Sequence, residues 1–202
     1  MGGANEVRLM QRDKDIIEFL KVVKCADAES ISILFFGGSL RACQKRLLIL
    51  TEADYIRRFR RDHWSEYIYY IEKNKPKQYS HDIYLSKILA YLKSNDVEVL
   101  KYKGTTKINN IIIDGVIVLK VNDSVKLYFI EIERSKFKKQ TIYKYKDLSI
   151  ESLKDLGFTV KPSILLITDK ATDITNDIPY KIIKTNLEFK NLIDTFSKVE
   201  NH

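Results

Sequence analysis

The feature that most constrains this chain is an apolar run, residues 125–133, that ends in two acids. The run is rich in β-branched and aromatic residues and therefore predicts a buried strand. Because side chains alternate across a strand, Glu131 and Glu133 share one face with Leu127 and Phe129. We therefore expect the two carboxylates at the margin of a hydrophobic core and not on a freely solvated surface.

A second apolar strand, residues 111–119, precedes this run and carries Asp114 near its middle. Residues 121–124, three of which are polar, predict a turn that joins the two strands as a hairpin. Carboxylates on adjacent strands repel one another unless a cation, a base or a proton relieves them. The hairpin therefore predicts a cluster of three acids, formed by Asp114, Glu131 and Glu133.

The front of the chain predicts three short helices, each with an apolar stripe at helical spacing. They cover residues 13–24, 28–36 and 39–51. Gly37 and Gly38 end the second helix, and Ser39 is a suitable N-cap for the third. Three helices joined this tightly indicate a helix-turn-helix unit.

The third helix has a basic side. Arg41 and Lys45 lie one turn apart, opposite the apolar residues, and Gln44 and Arg46 flank them. In a helix-turn-helix protein this helix enters the major groove, so these four residues are candidate DNA contacts.

A hairpin follows the third helix directly, as the wing does in a winged helix. Its first strand is predicted at residues 55–61, its turn at 62–65 and its second strand at 66–71. The first strand carries four candidate contacts to phosphates or to the minor groove, Arg57, Arg58, Arg60 and Arg61. His63 and Trp64 fall in the turn, where they either plug the hairpin or touch DNA.

The charge balance favours a polyanionic partner. From Ser39 to Asp62 there are seven Lys or Arg residues against three Asp or Glu, and the whole chain carries a net charge of +8. Double-stranded DNA is the partner that we expect, with an affinity dominated by phosphate contacts and therefore sensitive to salt. Two alternatives stay open, since basic residues are often only a solvated face and winged helices also bind proteins.

A charged segment with a proline, residues 73–78, indicates a linker. We therefore expect two domains, a winged helix with its linker at 1–78 and a second domain at 79–202. In the second domain we predict a helix, three strands, a long helical region, a strand, and a short peripheral strand with a closing helix. They cover residues 81–93, 97–102, 111–119, 125–132, 136–156, 163–168, 181–184 and 186–199. The expected class is mixed, α+β or α/β.

This order, with an acid in the second strand and acids ending the third, resembles the PD-(D/E)XK nuclease-like fold and its α-β-β-β-α-β core. The resemblance implies that Asp114 and Glu131 hold a divalent metal such as Mg²⁺, which activates water. The motif lysine is missing, because Glu133 occupies its position. In some members the basic residue lies on the following helix, where Lys139 and Lys144 are available. The candidate catalytic set is therefore Asp114, Glu131, Glu133 and Lys144.

The two halves together are similar to the plasmid replication-relaxation family of bacterial mobile elements. The similarity rests on the helix-turn-helix at 39–55, His81 opening a helix, the Asp114-Gly115 strand, the Phe-Ile-Glu-Ile-Glu-Arg-Ser strand end at 129–135, and the Lys- and Tyr-rich helix after it. It covers residues 13–148 and implies DNA binding in plasmid or phage replication, transfer or gene control. It does not by itself imply cleavage.

The sequence thus supports three hypotheses: a DNA-binding protein with a degenerate nuclease-like domain, a metal-dependent endonuclease or nickase, and a transcriptional regulator or protein-binding adaptor. The structural alternative for the acids is that Asp114 bends a strand while the glutamates pair with Arg134 or with helix lysines. Only two cysteines are present and no apolar run could span a bilayer, so we expect a cytoplasmic protein without a membrane partner. A homodimer is compatible with DNA binding. The sequence has no glycine-rich phosphate-binding loop, which argues against an ATPase.

Overall fold

The computed structural model describes residues 7–121, 123–135, 139–154, 158, 160–172 and 178–198. It is a mixed α+β structure that divides into two compact units, Met1–Ser94 and Asn95–His202. Among the helices so described, none combines the length and the apolar character that a membrane crossing requires.

The first unit contains four helices and a small antiparallel sheet. The helices are α1 Gln11–Val23, α2 Ala28–Phe35, α3 Leu40–Glu52 and α4 Tyr79–Ser94. The strands are β1 Cys25–Asp27, β2 Arg57–Phe59 and β3 Ile68–Tyr70, in the sheet order β1-β3-β2. The three predicted front helices and the hairpin are therefore confirmed, with shorter strands than expected.

The helices of the first unit pack through the apolar stripes that the sequence shows. Ile16 of α1, Ile31 of α2 and Leu47 of α3 are fully buried, because residues three and four apart share one face of a helix. Between α2 and α3 the chain turns at Gly37 and Gly38, which both have positive φ, at 58° and 84°. Glycine adopts this conformation without the steric cost that a Cβ atom adds.

Strand β1 was not expected. Its three residues are all buried, and Cys25 and Asp27 pair with Tyr70 and Ile68 of β3. Asp27 also begins α2, since its carboxylate accepts a hydrogen bond from Ser30 N at 2.8 Å. One short strand thus fixes the hairpin to the helices.

The boundary between the units differs from the sequence expectation, because it falls after α4 and not before it. Helix α4 packs against α1, α2 and β1, and it buries Leu85, Ile88, Leu89 and Leu92. The helix predicted at 81–93 as the first element of the nuclease-like domain therefore belongs to the first unit.

The second unit is built on a five-stranded sheet. The strands of the unit are β4 Glu98–Lys103, β5 Thr106–Ile108, β6 Ile111–Ile113, β7 Gly115–Val121, β8 Ser124–Ile132, β9 Ser163–Ile167 and β10 Ile182–Thr185. Its helices are α5 Gln140–Tyr143, α6 Ile150–Lys154 and α7 Leu192–Lys198. The sheet order is β10-β9-β8-β7-β4, with β5 and β6 as a separate pair.

The sheet changes from antiparallel to parallel at β8. Strands β4, β7 and β8 form antiparallel pairs, whereas β8, β9 and β10 run parallel. Strand β8 is buried on both faces, because Phe129 belongs to a core cluster with Ile142 and Tyr145, and Tyr128 contacts Phe196 of α7 at 4.9 Å between ring centroids. The peripheral strand predicted at 181–184 is confirmed as edge strand β10.

Two predicted elements are divided. The strand expected at 111–119 is interrupted at Asp114, so that β6 pairs with β5 while β7 joins the main sheet. The long helical region expected at 136–156 contains only the short helices α5 and α6 among the residues described. Residues 136–138 and 155–156 lie outside the described part of the chain. Helix α7 is shorter than the helix expected at 186–199, and residue 199 lies outside the described part.

Candidate nucleic-acid interface and acidic site

The first unit has an open groove of about 440 Å³ between α3 and the hairpin of β2 and β3. Its lining combines the basic residues Lys45, Arg58 and Arg60, the acids Glu29 and Glu66, the amide Gln44, the aromatic residues Tyr67 and Tyr69, and Ala28, Leu40, Leu48 and Ser65. The groove therefore brings together candidate residues from the third helix and from the hairpin.

Two of the hairpin arginines share one aromatic ring. The Arg58 guanidinium carbon lies 4.1 Å from the ring centroid of Tyr67, and that of Arg60 lies 4.0 Å from it. Arg60 also donates hydrogen bonds to the Tyr67 hydroxyl at 2.5 Å and to the His63 carbonyl at 3.0 Å. Residues two apart on a strand face the same way, so Tyr67 holds both cations on the groove side of the hairpin.

The candidates on α3 separate into two groups. Arg41, Gln44 and Lys45 are exposed, as expected for a helix that meets DNA. Arg46 instead forms two hydrogen bonds with the fully buried carboxylate of Asp13, at 2.9 and 2.5 Å. Its guanidinium fastens α3 to the start of α1, which gives Arg46 a structural role, and its contact with DNA stays a prediction.

The outer two arginines of the hairpin have different environments. Arg57 donates hydrogen bonds to the carbonyls of Ile71 and Glu72, at 3.5 and 3.0 Å, and so fastens β2 to the chain that leaves β3. Arg61 is exposed beside the turn and pairs with Asp62 at 3.2 Å. Of the two, Arg61 has the position of a candidate DNA contact.

The tip of the hairpin presents Trp64. Its side chain is 92% exposed, which contradicts the interpretation of an aromatic plug. The Asp62 carboxylate accepts hydrogen bonds from Trp64 N at 3.1 Å and from Ser65 N at 2.8 Å, and thereby fixes the turn.

The acidic site of the second unit is centred on Glu131, near the end of β8. Its carboxyl group is buried and accepts hydrogen bonds from the Tyr145 hydroxyl and, at 2.8 Å, from Lys144 Nζ. Lys144 also donates to the Ile112 carbonyl at 2.6 Å. Burial and the nearby charge of Asp114 raise the pKa of Glu131 to about 8, although Lys144 and Tyr145 oppose the rise.

The other two acids are used differently. The Asp114 carboxylate accepts a hydrogen bond from Ile132 N at 2.8 Å and so joins the break between β6 and β7 to the end of β8. Glu133 accepts hydrogen bonds from Ser135 and from Thr141, at 3.0 and 3.3 Å between side-chain oxygens. The structure thus brings Asp114 and Lys144 to Glu131, and it ties Glu133 to the chain that follows β8.

These residues do not fit a Mg²⁺ site as they stand. Two carboxylates can suffice for Mg²⁺, but the ammonium group of Lys144 lies 2.8 Å from the Glu131 carboxyl group and competes with a metal ion for it. Within the described part of the chain, no three His, Cys, Asp or Glu residues form a group that could hold a metal ion. The predicted cluster of three acids is therefore not formed.

Comparisons with known proteins assign the chain to no family. A scan against family models and searches of curated proteins and of solved structures find no match. The function must therefore be inferred from the geometry of the two sites.

Three residues of these sites were not singled out by the sequence. Tyr67 and Tyr145 are two of twelve tyrosines, and without the fold nothing distinguishes them. Asp13 looks like an ordinary residue of the first turn of a helix.

Proposed function

We propose that the chain is a double-stranded DNA-binding protein, in which Met1–Ser94 is a winged helix and α3 is its recognition helix. Helix α3 enters the major groove with Arg41, Gln44 and Lys45 toward the bases, and the hairpin follows the phosphates beside it. The second unit is proposed to have a nuclease-like fold whose acidic site is degenerate.

The observation that carries this proposal is the pair of guanidinium groups on Tyr67. Two like charges that each lie about 4 Å from one ring centroid repel one another in the free protein. A phosphate beside them relieves this repulsion, and Lys45 lines the same groove. A stacked guanidinium also loses little conformational freedom on binding, because the ring already restrains it.

The groove itself has only a small surplus of positive charge, since Glu29 and Glu66 line it together with the three basic residues. A strongly bound small anion is therefore not the ligand that it favours. An extended polyanion also reaches Arg41 and Arg61, which are exposed beyond the groove lining. This distribution supports DNA over a small phosphorylated molecule.

The proposal is tested by binding a fluorescently labelled duplex across a series of salt concentrations. Arg41→Gln/Lys45→Gln removes two exposed charges from α3 and should weaken binding, with a salt slope reduced by about 2. Lys14→Gln/Lys21→Gln on α1 removes two charges from exposed helix positions and serves as the control. If both double variants bind like the wild type, with the same slope, α3 is not the DNA-binding helix.

The second unit is proposed to contribute without cleavage. The carboxyl group of Glu131 already accepts hydrogen bonds from Lys144 and Tyr145, so the site is stable without a metal ion. Relaxed and supercoiled plasmids should therefore stay intact when they are incubated with the protein and Mg²⁺ or Mn²⁺, and DNA affinity should not change when a chelator is added.

One observation favours a metal-dependent endonuclease as a second candidate. Lys144 donates a hydrogen bond to Glu131, the acid that the charge of Asp114 also acts on, and the nuclease resemblance implies a basic residue there from the helix that follows the third strand. Plasmid cutting by the wild type that Asp114→Ala abolishes would establish this candidate and would contradict a degenerate site.

The biological setting is proposed from the sequence resemblance. A winged helix followed by a nuclease-like unit suits a protein of a plasmid or other mobile element that acts in replication, transfer or transcriptional control. Sequencing the DNA fragments that the protein selects from its own genome tests this setting, because sites in replication or transfer regions of mobile elements are expected.

A further inference from the structure

Trp64 is the most exposed large apolar side chain of the described residues. It is 92% exposed, whereas Ile112, the next, is 58% exposed. It is also the only tryptophan in the chain. Single exposed apolar side chains are common, but this one is an aromatic ring at the tip of the hairpin, next to the arginines of the groove, and is therefore placed to contact a partner.

The backbone of the turn that carries Trp64 is held by several hydrogen bonds. The Asp62 carboxylate accepts hydrogen bonds from Trp64 N and Ser65 N, and Asp62 also pairs with Arg61. The ring of His63 packs its edge against the indole, with centroids 5.4 Å apart. The His63 carbonyl is in turn fixed by Arg60 at 3.0 Å. The tip is therefore ordered in advance of binding.

The residues around the indole are polar and include cations. Arg61 and His63 are its close chain neighbours, and Arg60 links the tip to the Tyr67 ring in the groove. An apolar protein surface or a bilayer interior would leave these groups without suitable partners. A partner that offers negative charge and flat aromatic faces together suits both the arginines and the indole.

We propose that Trp64 stacks on a base of the DNA held by α3 and the hairpin, entering at a base step beside the phosphates bound by Arg60 and Arg61. This inference rests on the proposed function and adds a contact that depends on base stacking and not on charge. Partial insertion of an apolar side chain opens a step and favours flexible pyrimidine–purine sequences.

Because Trp64 is the only tryptophan, its fluorescence reports on the proposed contact directly in the full chain. We expect an unlabelled duplex to quench the emission and to protect the indole from acrylamide. A relaxed closed-circular duplex, which has no frayed ends, should give the same result as a linear one. Anisotropy of a labelled duplex under the same conditions measures binding independently.

Variants separate stacking from charge. Trp64→Ala should lower DNA affinity about tenfold without changing the salt slope, and Trp64→Phe should retain part of the affinity. Leu100→Ala removes an exposed apolar side chain from β4 and should leave affinity unchanged. Because the Trp64 side chain touches little of the hairpin, Trp64→Ala is expected to unfold at the same urea concentration as the wild type.

The outcomes for the two proposals are distinguishable. If anisotropy shows DNA binding while the emission and acrylamide quenching of Trp64 do not change, and Trp64→Ala binds equally well, the stacking contact is excluded and the DNA-binding proposal stands. Quenching by the linear duplex alone would indicate stacking on strand ends and would also overturn the inference. A failure of anisotropy to detect any binding removes both.

Discussion

The two best-buried acids among the described residues, Asp13 and Glu131, illustrate how local partners decide protonation. Burial would raise the pKa of Asp13, but the hydrogen bonds and the positive charge of Arg46 outweigh it and lower that pKa. Burial and the charge of Asp114 dominate at Glu131 and raise its pKa to about 8. The sequence placed Glu131 correctly at the margin of a core. It could not identify Arg46 as the partner of Asp13 or Tyr145 as a partner of Glu131, because the packing of the fold brings these residues together.

The raised pKa of Glu131 predicts that stability falls with rising pH. Between about pH 4.5 and pH 8 the folded protein keeps the proton of Glu131 while the unfolded chain loses it. The stabilisation is therefore complete below pH 4.5 and lost as the pH passes 8. Glu131→Gln should flatten the slope of unfolding free energy against pH, by at most about 1.4 kcal/mol per pH unit.

Urea unfolding followed by circular dichroism at several pH values measures this slope. Gln44→Ala is the control, since Gln44 is exposed and carries no titratable group, so its slope should match that of the wild type. Equal slopes for the wild type and Glu131→Gln would show that Glu131 does not hold its proton.

The pair of Asp13 and Arg46 gives a second prediction at the scale of single residues. Arg46→Ala leaves the fully buried Asp13 without its cation and should lower the free energy of unfolding by about 3–5 kcal/mol. Arg41→Ala changes the same residue type at an exposed position of the same helix and should cost less than about 0.5 kcal/mol. Similar urea midpoints for the two variants would contradict the structural role of Arg46.

At the scale of elements, the sequence predicted the longer pieces and the short hairpin, and it missed the three-residue strands β1 and β5. Helices α1 to α4 and strands β7 to β9 have enough residues for an apolar pattern to emerge. Strand β1 has three residues, all buried, and it lies between two helices, so no alternation could reveal it. The interruption at Asp114 was likewise invisible, because β6 and β7 are both apolar and only the pairing with β5 separates them.

The turn between α2 and α3 yields a prediction that depends on backbone conformation alone. Gly38 has a φ of 84°, and a Cβ atom there would meet nothing within 4 Å. Gly38→Ala should therefore destabilise the first unit by about 1 kcal/mol through backbone strain and without any clash. Gly37→Asn is the control, because asparagine tolerates a φ near 58°. Thermal unfolding of both variants makes the comparison, and a neutral Gly38→Ala would show that the turn relaxes.

At the scale of the whole molecule, the sequence predicted two folded parts but placed their boundary on the wrong side of α4. A charged, proline-containing segment looked like an interdomain linker, although here it is a loop within the first unit. The deciding information is the set of side chains that α4 buries against α1, α2 and β1, and this becomes visible only in the fold.

Fragments of the first unit test the boundary. A fragment ending at Ser94 should unfold in one cooperative urea transition, whereas one ending at Gln78 should lack it. Helix α4 buries four of its own apolar side chains, Leu85, Ile88, Leu89 and Leu92. Each contributes about 1.5–3 kcal/mol to the free energy of unfolding, so their sum is comparable to the stability of a small domain. A cooperative transition in the shorter fragment would contradict the assignment of α4 to the first unit.

The change of strand direction at β8 has a consequence for how the protein is made. The hairpin of β7 and β8 closes through a short turn, whereas β9 follows only after a long crossover connection. Until the ribosome has released Ile167, the apolar strand β8 has one hydrogen-bonding edge without a neighbour. The newly made chain therefore passes through a stage that favours aggregation, and co-translational chaperones would find their binding segment there.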